Sequence, residues 1–148
     1  MRSIVIGSDH AGFEVKENIW TYLSERGYGV EDVGTDSLES ADYPVYAGRV
    51  ARHVQITKDL GILLCGSGIG MSIAASKYEG VYAARCVNAE EARKARISGA
   101  NVLCLRGSPA NFEKSKAIVD AFLATEFSEE ERHTKRLKQM DELARQPL

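Results

Sequence analysis

The stretch LGILLCGSGIGMSIAASK, residues 60–77, sets the architecture. The apolar run Ile62-Leu63-Leu64 leads into a glycine-rich turn, and a segment of small and apolar residues leads out. An apolar run without polar alternation reads as a strand buried on both faces. A strand, a glycine turn and a helix in that order form the unit from which parallel sheets are built. Cys65 stands directly before Gly66, Gly68 and Gly70. It is either a small buried thiol or a reactive group poised over a ligand held by the glycines.

The same alternation extends in both directions. Residues 3–6 read as a strand that runs into Gly7-Ser8-Asp9-His10. Residues 13–26 place Val15, Ile19, Trp20 and Leu23 near helical spacing, and Gly27 ends the helix. Residues 29–33 form a second strand, and Tyr43-Pro44 opens a helix that runs through Ala47, Val50, Ala51 and Val54. Residues 61–64 are the third strand, and 70–76 begin the next helix. Strands over 81–85 and 101–105 flank a helix over 89–96, and a further helix covers 112–124. A charged helix follows from about 129 to 144. Five apolar strands separated by helices predict an α/β protein with a five-stranded parallel sheet covered on both faces. No linker or repeat divides the chain, so residues 1–148 are expected to form a single domain.

Ligands of such sheets bind beyond the C-terminal ends of the strands. That rule directs attention to residues 7–12, to 65–70, and to the 97–100 region just before the fifth strand. Composition narrows the ligand class. The net charge of −2 exerts no global pull on nucleic acid or an anionic membrane. No apolar run approaches the ~20 residues that span a bilayer, and the first ten residues do not read as a secretion signal. The three cysteines, Cys65, Cys86 and Cys104, show neither Cys-x-x-Cys nor zinc spacing, which suits a reducing, cytoplasmic compartment.

Several residues are candidates for chemistry. The Gly-x-Gly-x-Gly turn lets backbone amides approach an anion closely. A plain tight turn is its bland alternative. A thiolate at Cys65 would serve as base or nucleophile. Cys86 and Cys104 meet no glycine turn and fit a buried structural role better. Asp9 is either a ligand or a helix cap. His10 is a ligand or a surface residue, and His53 is expected at the surface without a partner. Arg132 and Arg136, four apart on one helix face, suit a phosphate clamp, or form a solvated basic face balanced by Glu129 to Glu131.

Taken together, six segments resemble the type B ribose-5-phosphate isomerase family, related to the galactose-6-phosphate isomerase subunits. They are GSDHAGFEVK (7–16), DYPVYAGRVA (42–51), GILLCGSGIGMSIAASK (61–77), NVLCL (101–105), AIVDAFL (117–123) and FSEEERHTKR (127–136). The resemblance implies a Rossmann-like three-layer sandwich. It implies an intramolecular oxidoreductase that converts a phosphorylated aldose to a ketose through a cis-enediolate, of the ribose 5-phosphate/ribulose 5-phosphate type. It implies no metal or other cofactor. Cys65 would be the base between C1 and C2, and Ser67 would help shuttle the hydroxyl protons. Gly66, Gly68, Ile69 and Gly70 would hold the enediolate oxygens, and Asp9, His10 and Ser98 would contact the sugar phosphate. Arg132 and Arg136 would bind phosphate, reaching the site of a partner subunit. The implied assembly is a homodimer or a dimer of dimers with shared active sites.

Two positions depart from the family. A histidine followed by asparagine, which opens the furanose ring, usually precedes NVL. Here Ile97 and Ser98 occupy those places, and isoleucine cannot transfer a proton. After the fifth strand the family commonly reads Gly-x-Arg, whereas this chain reads Arg106-Gly107-Ser108. Two alternatives to a ribose 5-phosphate isomerase follow. One is an isomerase of a different, open-chain sugar phosphate such as a tetrose 4-phosphate. The other is a non-catalytic phosphosugar-binding paralogue.

Overall fold

A computed structural model describes residues 2–143, 145 and 146. The elements follow in the order β1 (Ser3–Ser8), a 3₁₀ turn (His10–Gly12), α1 (Phe13–Glu25), β2 (Gly29–Asp32), α2 (Tyr43–Thr57) and β3 (Leu60–Cys65). There follow α3 (Ile69–Ala75), β4 (Ala83–Arg85), α4 (Ala89–Ser98), β5 (Val102–Arg106), α5 (Phe112–Ala124) and α6 (Glu131–Leu143). All strand pairs are parallel, and the order across the sheet is β2-β1-β3-β5-β4. This is the expected α/β sandwich, with six helices around one five-stranded sheet.

Side chains alternate between the two faces of each strand. Ile4, Ile6, Ile62, Leu64, Leu103 and Leu105 pack with Val15 and Ile19 of α1, Ala92 of α4 and Phe122 of α5. On the other face Val5, Leu63, Cys65, Val102 and Cys104 meet Val50 and Val54 of α2 and Met71 of α3. Coverage on both faces makes the interiors of the central strands β1, β3 and β5 apolar, which is why β3 reads as an uninterrupted hydrophobic run, whereas the edge strand β2 carries Glu31 and Asp32. Gly61 sits where a Cβ would lie 2.8 Å from Val50, so glycine there lets α2 close on the sheet.

Strand and helix ends differ slightly from the sequence reading. β1 and β3 extend to Ser8 and Cys65, and α4 runs on to Ser98 until Gly99 stops it in the left-handed conformation at φ +108°. The charged helix begins at Glu131 rather than 129, and its expected end at 144 lies outside the described residues. His53 is corrected outright. Its Nε2 lies 2.9 Å from Asp59 and its Nδ1 3.4 Å from Glu31, so it ties α2 to the residue before β3 and to the C-terminal half of β2 rather than standing alone.

Lys16 is the one lysine in the core. Its side chain is 1% exposed, bonded to Asp32 and Glu17, with Nζ 5.0 Å above the Phe13 ring. Removing a partner from a buried charge costs more than the pair itself contributes. Asp32→Ala is therefore expected to destabilise the fold by about 3 kcal/mol, since Glu17 is left as the sole anion beside Nζ. Urea unfolding measures it; a loss below about 1 kcal/mol would show that the ammonium rehydrates instead.

Candidate active site

Three backbone segments meet at the C-terminal ends of the central strands. After β3, the Cys65 sulfur accepts a hydrogen bond from the Gly68 amide at 3.2 Å. Gly68 has φ +81°, and a Cβ there would lie 2.9 Å from the Leu105 carbonyl. Both conformation and space demand glycine, which explains the middle glycine of the turn. The Ser67 hydroxyl accepts from the Ile69 amide at 3.1 Å, and its carbonyl accepts from Arg85 Nε at 2.7 Å. A Cβ on Gly70 would lie 2.7 Å from the Tyr43 ring, so the ring at the start of α2 rests on the turn.

After β1, one Asp9 oxygen accepts from the Ala11 and Gly12 amides at 3.0 and 3.1 Å. Asp9 is therefore a cap, as its bland reading held. Its second oxygen has no protein partner among the described residues and remains free for a ligand. The Ala41 amide, which can only donate, lies 3.1 Å from His10 Nδ1. The Ala41 carbonyl lies equally near, at 3.2 Å, so the Ala41 backbone grips Nδ1 in either tautomer and leaves Nε2 for a ligand.

After β5, the Gly107 amide donates to the Cys65 carbonyl at 2.8 Å, and the Ser108 amide to the Gly66 carbonyl at 3.2 Å. A Cβ on Gly107 would lie 2.5 Å from Gly12 Cα. The three loops are thus joined backbone to backbone. Cys65, only 5% exposed, is held by a rigid frame rather than by a mobile loop. An N–H aimed at the sulfur stabilises negative charge there. Cys86 and Cys104 are unlike it. Burial, with Glu91 second, pushes the Cys86 thiol up to about 11, and burial drives Cys104 far higher. Both stay neutral thiols at physiological pH, consistent with a structural role.

The remaining candidates are elsewhere. α4 leaves the C-terminal end of β4 and returns to the start of β5, so Ile97 and Ser98 lie at the opposite end of the sheet from Cys65. β5 has five residues, and at about 3.3 Å each the two ends are some 16 Å apart. The 97–100 region therefore does not belong with the other two loops, which corrects the expectation. A segment that precedes a parallel strand sits at its N-terminal end. Ile97 is 42% exposed, and its carbonyl accepts from the Ser128 amide.

α6 is anchored at that same end. Asp141 accepts from the Gly80 amide and the Tyr82 hydroxyl, just ahead of β4, and Leu137 packs against Gly99. Arg132, Lys135 and Arg136 line one shallow cleft of α6, with Arg132 bonded to Glu130 at 2.7 Å. The two arginines do share a face, but one chain does not carry them to its own Cys65.

Two residues at the site escaped the sequence reading. Tyr43 was noted only as a helix start, and Arg85 was not singled out. Arg85 is the one charged residue of β4 and stands at its C-terminal end, so the strand-end rule would have found it.

Residues 4–140 match the model of the family described as Ribose/Galactose Isomerase. The chain is 42% identical over 140 residues to ribose-5-phosphate isomerase B of Escherichia coli, covering 93% of each chain. It is 38% identical over 129 residues to the 4-deoxy-4-sulfo-D-erythrose isomerase of a Clostridium species, covering 85% of this chain and 81% of that one. Among solved structures, a ribose 5-phosphate isomerase from Thermotoga maritima superposes with a TM-score of 0.92 at 46% identity, covering 96% of this chain and 99% of that one.

Proposed function

This chain belongs to the ribose/galactose isomerase family, and from that premise we propose that it interconverts the aldose and ketose forms of a phosphorylated sugar through a cis-enediolate. The observation that carries the proposal is the Cys65 sulfur held over the glycine turn by the Gly68 amide. The thiolate of Cys65 takes the proton from C2 of the aldose. Negative charge then passes to the C1 oxygen, where amides of the glycine turn other than those of Gly68 and Ile69, already bonded to Cys65 and Ser67, receive it. The proton returns from the sulfur to C1, while Ser67 exchanges protons between the two hydroxyls. Atoms balance without any external acid, because the proton lost at C2 is the one gained at C1. His10 Nε2 and the free oxygen of Asp9 face the sugar and phosphate ends.

Arg132 and Arg136 enter this scheme only from a second copy, because in their own chain they lie at the far end of the sheet. The region beside the turn is suited to such a neighbour. Tyr43, Val45, Ile69 and Ile73 are all large apolar side chains left exposed at α2 and α3, a concentration that commonly marks an association surface. A homodimer, or a dimer of such dimers, brings one copy's arginines to the other's Cys65.

The sugar is read from what stands at position 97. Ile97, like the arginines, comes to a Cys65 only from a second copy, and it brings no acid there. His53 is paired with Asp59 and Glu31, His133 is buried and bonded to Ser128, and His10, held at Nδ1 by the Ala41 backbone, is the one histidine left beside the sugar. An open-chain substrate needs no such acid. A tetrose that carries its anionic group at C4 has no 4-hydroxyl to close a furanose, and one relative is named for such a sugar. We therefore favour a tetrose 4-phosphate or similar short substrate over ribose 5-phosphate.

A panel of phosphorylated tetroses, pentoses and hexoses tests this. The expected result is kcat/KM at least 10-fold higher for the tetrose than for ribose 5-phosphate, with Ile97→His narrowing the gap from the pentose side. Equal or better turnover of ribose 5-phosphate by the unaltered chain would overturn the substrate assignment. Turnover of no sugar phosphate at all would leave only the binding paralogue.

A further inference from the structure

A second polar cavity lies at the C-terminal ends of β4 and β5, across the 107–109 loop from Cys65. It measures about 120 Å³ and is lined by Arg85, Arg106, Lys114, Asn111 and Ser115 over an apolar floor that includes Leu105 and Ile118. No aspartate or glutamate lines it. Among the described residues neither Arg106 nor Lys114 has a carboxylate within 4 Å. Glu91, which faces the Cys86 thiol in the cavity wall, is bonded to the Val87 amide at 3.2 Å. Arg85 spends its Nε on the Ser67 carbonyl, and its terminal nitrogens make no bond among the described residues.

The floor of the cavity is built as well as its rim. Asn111 caps α5 by accepting from the Lys114 amide, and α5 is 13 residues long. The amides of Lys114 and Ser115, the first helical residues that line the cavity, are already bonded to Asn111, so α5 offers the cavity side chains rather than free N–H groups. Ser115 is only 5% exposed. Its hydroxyl lines the cavity and has no hydrogen-bond partner among the described residues. The hydroxyl is not a fully buried orphan, and it is open to a solvent or ligand oxygen in the cavity.

We propose that this cavity binds a tetrahedral oxyanion of the phosphate or sulfonate class, held by Arg106 and Lys114 with the Ser115 hydroxyl. Three cations gathered at one cavity without a lining carboxylate favour an anion, and guanidinium and ammonium donors suit a phosphoryl or sulfonyl group. The volume is well under the ~300 Å³ at which pockets for larger organic ligands begin, so the recognised part is the anion itself. The oxyanion is either the tail of the substrate or a separate phosphorylated effector. In both cases Arg85 joins the cavity to the Ser67 carbonyl of the catalytic turn.

The test is titration with inorganic phosphate, followed by calorimetry. It does not depend on the isomerase reading, because binding is read directly. Arg132→Ala/Arg136→Ala removes the other basic cluster, and phosphate binding at this cavity is expected to persist in that variant. Adding Arg106→Ala/Lys114→Ala is expected to weaken it at least 10-fold, with Ser115→Ala giving a smaller loss in a chain whose folding is checked by circular dichroism. Phosphate affinity unchanged by the Arg106/Lys114 replacement overturns the proposal. Where a sugar phosphate is turned over, Arg106-dependent phosphate inhibition that is competitive assigns the cavity to the substrate tail. Arg106-dependent inhibition that is not competitive assigns it to a separate effector.

Discussion

Replacing Cys65 by alanine is expected to slow isomerisation by about 10²-fold or more, with KM little changed, because the base is removed while the anion contacts stay. The frame makes this a clean test. The turn is held by the Gly107 and Ser108 amides on the Cys65 and Gly66 carbonyls, none of which involves the sulfur. The alanine methyl group fits where a Cβ already stands, and the Gly68 amide loses one acceptor. A folded variant with near-normal kcat would remove Cys65 from the mechanism and leave the thiol as a buried structural group. Cys86→Ala and Cys104→Ala serve as controls, since burial keeps both thiols neutral. Neither is expected to lower kcat in any variant that folds.

The second large effect concerns two chains at once. Cys65→Ala and Arg132→Ala/Arg136→Ala are each expected to be nearly inactive when pure. Mixed in equal amounts and allowed to exchange subunits, they are expected to regain about a quarter of the normal activity. Random pairing makes half of the dimers mixed, and each mixed dimer holds one site with an intact Cys65 and intact arginines. The reason is geometric. Cys65 ends β3 at one end of the sheet, whereas α6 is fastened near Gly80, Tyr82 and Gly99 at the other. No rotation of an arginine side chain spans the length of a strand. If mixing restores nothing although mixed dimers are shown to form, the arginines do not act across the subunit boundary.

Much of the fold is legible without coordinates. The central strands are apolar on both faces because helices cover each face, so the hydrophobic run over 62–64 reads as a buried parallel strand. Glycines also speak plainly. Gly68 is required by a positive φ and a close carbonyl, and Gly99 by a left-handed helix stop. Asp9 shows the limit, because capping and ligation use the same carboxylate, and only the hydrogen bonds reveal that one oxygen is committed and the other free. His53 shows another. Its partners, Glu31 and Asp59, come from different elements, and no local pattern announces them.

The sequence by itself determined the parallel α/β architecture, the glycine turn under Cys65, and the departures at Ile97 and Ser108. Each of these is written in residues adjacent along the chain, where conformational preference and hydrophobic period act locally. Only the tertiary structure decided which of the candidates share a site. Residues 97–98 and the α6 arginines lie at the N-terminal end of the sheet because a helix returning between parallel strands must begin at one end and finish at the other. The same folding brought Arg85, Arg106 and Lys114 from three separate elements to the rim of one cavity. Such meetings depend on strand order and register, quantities that local spacing does not encode.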